Sequence, residues 1–451
     1  MDKEMNLKFK DAPAPGKLGL PELYAISLGY VIGAGIVTTV GPAMAITGRS
    51  AWLAYFVAIL FGLLVNIPSI FVTSTIRLGG GPYSMLAGLA GKKIAGIYSI
   101  LFLALLVQMA AFGMAMGLYV NALWPNIPVK WAGIATLTFF YIVNMFGIDI
   151  MAKVQKIMTW LLIGTFLVFI ILGLPKMTYP VFNFSSPEFL TNGVNGFIAA
   201  IFLFVASTNG YLMSMSYGKD SKNAKRDIPK AILLCVPSFI IIYCGVSLVQ
   251  AGIIPLEGAG KTTLVQVASK ILNPTLFALF MIGGPFMAIT STMNSAMANN
   301  TIPIAQSCRD GWLPKSLATQ NKYGIHYKIL TLIYMFGVIP LLFELSIVQI
   351  IMIINLALSA QSFLYTIAYL KMPEKYPESW QNSKFHVPNG VYKTIVILSF
   401  LGWFAIFVNS VLKVPTPVLI MAIIFFAFSI VFGLFKSKSP NIKIEVSMWE
   451  E

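Results

Sequence analysis

Long uninterrupted apolar runs leave this chain few ways to fold. They lie near 20–47, 51–76, 94–123, 131–148, 157–174, 193–217, 230–254, 273–303, 328–343, 345–370, 391–412 and 415–435. A helix crosses a bilayer in about 20 residues, whereas a transmembrane β-barrel would alternate polar and apolar residues. Only 10% of the residues are charged and 57% are hydrophobic, against about 25% charged in a soluble domain. The expectation is an all-α integral membrane protein with twelve transmembrane helices. The ninth and tenth spans are divided only by Glu344 and its neighbours.

A formal net charge of +15 would suit a nucleic-acid binder, but its distribution argues for topology instead. With both termini on the inner side, the outer loops hold only Arg49, Lys130, Lys176, Lys261, Lys270 and Lys413 of the 31 Lys and Arg. Basic residues gathered in inner loops are the positive-inside pattern. The chain is therefore expected in the plasma or inner membrane, multi-pass, with cytoplasmic termini and no nucleic-acid partner. The first seventeen residues are polar and no cleavable signal is apparent. Cys235, Cys244 and Cys308 form no disulfide or metal framework, and His326 and His386 read as ordinary loop residues.

No Asp, Glu, Lys, Arg or His falls at the middle of a span. Ionisable groups inside a membrane mark proton relays and ion paths, so a pump built on a buried carboxylate is not expected. Neither is an enzyme, which needs a base, a nucleophile or a metal cluster. What remains at mid-depth is neutral: Gly33, Gly35, Thr38 and Thr39 in the first span, Gln108 in the third, Ser207 to Gly210 in the sixth, Thr290 to Ser295 in the eighth, and Asn355 and Ser359 in the tenth. A broken helix can still hold a charged ligand, because free N–H groups attract anions and free carbonyls attract cations.

The first span reads GYVIGAGIVTTVGP from Gly29 to Pro42. Gly29 and Gly33 form a GxxxG, a device for close helix packing. Gly35, two residues after Gly33, cannot share that packing face. Five spans later the segment Ala206-Ser207-Thr208-Asn209-Gly210 is an equally poor helix former. Spans one to five (18–174) and six to ten (193–371) make halves of similar size with an odd number of crossings each. Weak segments opening both halves point to an inverted-repeat transporter with a midplane site. Outside the repeats lie a tail at 1–17, spans eleven and twelve at 391–435, and a tail at 436–451. The stretch 371–393 reads as a solvated inner loop.

Four motifs in order resemble the amino acid–polyamine–organocation family of permeases: IGAGI (32–36), GGPY (80–83), KNAKRDIPKAI (222–232) and RDGWLPK (309–315). The resemblance covers roughly 18–372 and implies a five-plus-five inverted repeat with broken first and sixth helices. It also implies that an amino acid's carboxylate sits on the amides of Ala34, Gly35 and Ile36. Its ammonium would meet carbonyls near Ile32, Gly33 and Ser207, Thr208, Asn209 and Gly210. Gln108, Thr208, Asn209 and Asn355 are candidate side-chain liners, or else interhelical hydrogen bonders. Asp220 or Asp227 is expected to pair with a basic residue of the inner loops.

The chain departs from the family in two places. Aromatics common in the family's sixth span are replaced here by Ser207, Thr208 and Asn209, and the lysine that several members carry after V-Q-x-x-x-T is Leu162, following Val154, Gln155 and Thr159. Without that ammonium, the hydroxyls of Ser291, Thr292 and Ser295, with Gly33 and Ile36, could ligate sodium, since hard cations favour oxygen. Sodium or a proton is the candidate coupling ion, and no other cofactor is expected. The reading is a permease for an amino acid, neutral because the cavity lacks acidic residues, working by symport or exchange. An ion channel and an exchanger of cationic amino acids or polyamines are the alternatives. A side chain at Gly35 is expected to block the carboxylate site.

Overall fold

A computed structural model describes residues 8–9, 11, 13–208, 210, 213–343 and 347–450. Among them, nine helices are long and apolar enough to cross a membrane, and three shorter apolar helices, Val129–Met145, Gly193–Val205 and Tyr327–Leu342, lie between them. Large apolar side chains such as Leu161, Ile171, Ile397 and Ile424 are exposed on the outside of the bundle, as lipid contact requires.

The first apolar run is not one helix. Leu20–Val31 starts after Gly19, whose amide donates to the Glu22 carboxylate at 3.1 Å, and Glu22 also pairs with Lys156 at 3.0 Å. It ends at Ile32 and Gly33, and helix resumes at Ala34–Thr38. Thr39 keeps helical backbone (φ −95°, ψ −20°) and leads into Val40–Thr47. Gly48, at φ +78°, turns the chain into Ala51–Thr75. The expected sixth span 193–217 is helical over Gly193–Ser207, and a single tight turn, Met213–Tyr217, follows.

Arg49 is buried at the end of the bundle away from the tails. It donates to the carbonyls of Ala251 and Ile254, pairs with Glu188 at 2.7 Å, and lies 4.0 Å from the Tyr179 ring centroid. Glu188 is half exposed, so solvent screens that pair and the carbonyl bonds dominate.

At the opposite end the described residues of both tails join the structure. Lys8–Phe9 pairs in parallel with Glu445–Val446, and Arg77–Leu78 pairs antiparallel with Met448–Trp449. Leu18 bridges to Ser221. Arg77, itself buried, donates to the carbonyls of Pro13, Ala14, Gly218 and Lys219. The described C-terminal residues 436–450 pack on the bundle: Ile442, Ile444, Val446 and Met448 are buried.

The stretch 371–393 departs from a solvated loop. Its helix continues to Lys375, Pro377–Gln381 adds another turn, and Trp380 is buried edge-on to Phe71. Indole and tyrosine rings in this stretch bury enough apolar surface to hold it against the bundle.

Replacing Arg49 with Gln strips the two carbonyls of their charged donor. We expect a loss of about 2–3 kcal/mol, read as a lower thermal midpoint of the purified protein in detergent; Glu188→Gln should cost under about 1 kcal/mol.

Candidate functional site

The two interrupted segments meet. A β-carbon built on Gly35 would lie 2.1 Å from the Ser207 β-carbon, and one built on Gly210 (φ +135°) would lie 2.4 Å from the Tyr30 ring. Only glycine allows this approach. The expectation that a side chain at Gly35 blocks a ligand therefore needs correcting: it would first collide with Ser207 and separate the segments. Gly33 is equally close to Thr292, whose hydroxyl would be 2.5 Å from a β-carbon there, and Gly29 lies against Gln155 and Thr159. The GxxxG pair thus packs two different neighbours.

Side-chain hydroxyls serve the backbone that the interruptions leave open. The Tyr243 hydroxyl lies 2.7 Å from the Val31 carbonyl and 3.0 Å from that of Ser207, spanning both breaks. Tyr243 sits on Ile240–Cys244, a widened π-type turn within the 224–253 helix. Such turns recur at functional sites. Tyr55 hydrogen-bonds Ser207 at 2.9 Å and stacks on Phe204 with ring centroids 3.6 Å apart. Neither tyrosine stood out in the sequence; their signal was a single phenol in an apolar span.

The expected liners take different places. Thr208 is buried and its hydroxyl donates to Val205 O at 3.2 Å, while Gln108 accepts from the Tyr30 hydroxyl at 2.9 Å. Gln108 thus ties the third span to the first. Asn355 is half-buried, and its carbonyl accepts from Ser359. Asn209 lies outside the described residues. Ile32 and Gly33 are buried, and Gly35 is half-buried. The amides of Ala34, Gly35 and Ile36 head a helix and so lack intrahelical acceptors.

Ser291 and Thr292 donate to the Gly29 carbonyl at 2.9 and 3.2 Å, and Thr292 reaches Tyr30 O at 3.0 Å. Ser295 faces Ile26 O at 3.5 Å. Outside their own helix, these hydroxyls thus donate to the carbonyls of Ile26, Gly29 and Tyr30, and Gly33 lies against the Thr292 hydroxyl. The donor set is all oxygen, which suits a hard cation. A buried uncharged chain lies alongside: Asn144 donates to Asn294, Asn294 to Gln155, and Thr159 to Ala25 O. Leu162 is fully buried.

The other motifs gather at the end that holds the tails. The Tyr83 hydroxyl donates to Asp310 at 2.6 Å, joining GGPY to RDGW. Gln306 and the Glu445 amide donate to the same carboxylate at 3.1 and 3.3 Å. Gly81 (φ +59°) and Gly311 (φ +94°) adopt left-handed backbone there. Of the two candidate acids, Asp227 pairs with its neighbour Arg226 at 2.8 Å.

A bundle of apolar helices around an uncharged centre marks a multi-pass membrane protein. A sequence profile of amino acid permeases matches residues 18–449, and the chain belongs to the amino acid permease family. It is 24% identical over 324 residues to the branched-chain amino acid permease of Bacillus subtilis, covering 67% of this chain and 69% of that one. An uncharacterized protein of Methanocaldococcus jannaschii is 25% identical over 308 residues, covering 66% and 70%. The methylthioribose transporter of Bacillus subtilis is 23% identical over 410 residues, covering 85% and 86%. The family is one of transporters, not enzymes.

Burial lifts the Asp310 carboxyl from 3.8 to about 6, against the opposing hydrogen bonds from Tyr83, Glu445 and Gln306. Between those values the folded chain keeps a proton that the unfolded chain has lost, so stability falls as pH rises through this window. We expect the thermal midpoint, measured against Asp310→Asn, to rise as pH drops from about 7 to about 5. Parallel pH profiles for the two proteins would remove Asp310 as the cause.

Proposed function

We propose that the protein moves a neutral amino acid across the plasma or inner membrane by alternating access, as a cation-coupled symporter or an exchanger. In this reading 18–174 and 193–371 are the two inverted repeats, the tails are cytoplasmic, and the helices opening each repeat are broken. The observation that carries it is the contact between the break at Ile32 and Gly33 and the break after Ser207, among groups with no formal charge. The carboxylate sits on the amides of Ala34, Gly35 and Ile36, where a helix start favours an anion. The ammonium sits near the carbonyls of Ile32 and Ser207. The substrate supplies both charges, so the lining needs none.

Neutrality of the substrate is supported by the lack of acidic residues among the described residues of both breaks. The relatives' names do not separate the classes: two name solutes without net charge, branched-chain amino acids and methylthioribose, and a vacuolar transporter of Arabidopsis thaliana, 25% identical over 327 residues, is named for cationic amino acids. For coupling, the oxygen cluster of Ser291, Thr292, Gly29 and Tyr30 is the sodium candidate. Its residues also satisfy one another without an ion, which is how a proton-coupled or exchange mechanism would use them.

Reconstitution into liposomes tests the reading. Uptake of a radiolabelled neutral amino acid, competed by a panel of neutral, cationic and acidic amino acids, should follow the neutral class. Tyr243→Phe should lower uptake by roughly tenfold, because a carbonyl at one break loses its donor at a cost of about 1–2 kcal/mol. Competition by cationic amino acids alone, or currents far above solute turnover, would replace this reading with the exchanger or channel. Replacing sodium by choline should reduce uptake if the span-eight hydroxyls ligate sodium; unchanged uptake eliminates that ion.

A further inference from the structure

A second cavity lies at the tail-bearing end of the bundle. Its volume is ≈ 160 Å³, several times the roughly 30 Å³ that one water occupies in the liquid. None of the residues assigned above to substrate or sodium lines it. Its walls come from the inner ends of the 148–173 and 287–309 helices, the turn at 217–220 and the loop at 320–326. Its wall carries charged side chains, Lys219, Asp220 and Arg309, in a molecule whose central site carries none.

Arg309 gives the cavity its chemistry. Its guanidinium lies 3.2 Å from His326 Nε2. The other ring nitrogen, Nδ1, lies 2.7 Å from the Ala318 carbonyl. A carbonyl only accepts, so Nδ1 carries the proton and Nε2 accepts from Arg309. The histidine is thereby held neutral, and burial pushes its pKa down as well. Arg309 gains an orientation from this bond but no compensating charge. Among the described residues no carboxylate pairs with it. The carboxylate next to it in sequence, Asp310, is occupied by Tyr83, Gln306 and the Glu445 amide.

A planar guanidinium fixed on one side and open on the other is suited to a carboxylate. Lys219 adds a second positive charge to the cavity lining, and Asp220 brings one negative charge beside it. We propose that this cavity is a second binding site, for a small carboxylate-bearing solute, with the carboxylate on Arg309 and Lys219. The solute is either an amino acid, whose ammonium Asp220 would meet, or a plain organic acid. The site is independent of the central one, because it holds the carboxylate through side-chain charge rather than helix amides.

The probes are L-alanine, L-lactate and L-alaninamide, titrated calorimetrically into the purified full-length protein. Lactate lacks the ammonium that the central site is proposed to hold, so it reports on the inner cavity even if the central reading fails. We expect lactate to bind the unaltered protein and alaninamide not to compete with it. Arg309→Gln should weaken lactate roughly tenfold or more, Arg309→Lys less, and Lys219→Gln, at an exposed position, by a few-fold. Alanine displacing lactate identifies an amino acid as the ligand, and alanine failing to displace it identifies an organic acid. Absence of lactate binding, or equal lactate affinity in the unaltered, Lys219→Gln and Arg309→Lys proteins, overturns the proposal.

Discussion

A peptide group in hydrocarbon has no water to turn to, and an unpaired one costs several kcal/mol. That constraint governs the centre of this molecule. Continuous helices meet it internally, but the chain gives up helix at Ile32 and Gly33 and again after Ser207. The carbonyls of Val31, which also accepts from the Gly33 amide, and Ser207 lie by one phenol, Tyr243, while Ser291 and Thr292 donate to Gly29 and Tyr30. The hydroxyls of the seventh and eighth spans are thus the structural counterpart of the breaks. Acceptors are served this way, while the amides of Ala34 to Ile36, at a helix start, lack intrahelical acceptors.

Close approach is the second requirement, and it explains the glycines better than flexibility does. Gly29, Gly33, Gly35 and Gly210 each sit where a β-carbon would fall within about 2.5 Å of a neighbour's side chain. Removing β-carbons lets polar groups of separate helices come within bonding distance in a medium where each bond replaces nothing from solvent. The glycines weaken their own helix by roughly 1 kcal/mol each, and the contacts they admit offset that cost.

Much of this was legible in the sequence because hydropathy and glycine spacing are local signals. Among the described residues, nine long and three short apolar helices lie along the apolar runs, the first helix ends at Ile32 and Gly33, and the helix from Gly193 ends at Ser207. GGPY and RDGW gave order along the chain but not their purpose, the bond from Tyr83 to Asp310. Arg77 and the tail strands at 445–446 and 448–449 carried no signal, since pairs of two-residue strands have neither length nor periodicity. Gln108, expected either to line the cavity or to bond between helices, is bonded to Tyr30. Hydropathy cannot distinguish those roles, because both require a buried amide.

The two ends of the bundle are held by different sets of contacts. At one end Arg49 fastens Ala251 and Ile254 through a single buried guanidinium. At the other, Arg77 fastens the 13–14 segment and the 218–219 turn, while the tail at 445–449 lies over Tyr83 and Asp310. Both ends therefore share one device, a buried guanidinium on backbone carbonyls, and differ in what surrounds it: a half-exposed carboxylate, Glu188, beside Arg49, and short strand pairs beside Arg77. The strand pairs exchange protein hydrogen bonds for water hydrogen bonds at nearly balanced cost, whereas parting either guanidinium from its carbonyls strips a charged donor in a dry site.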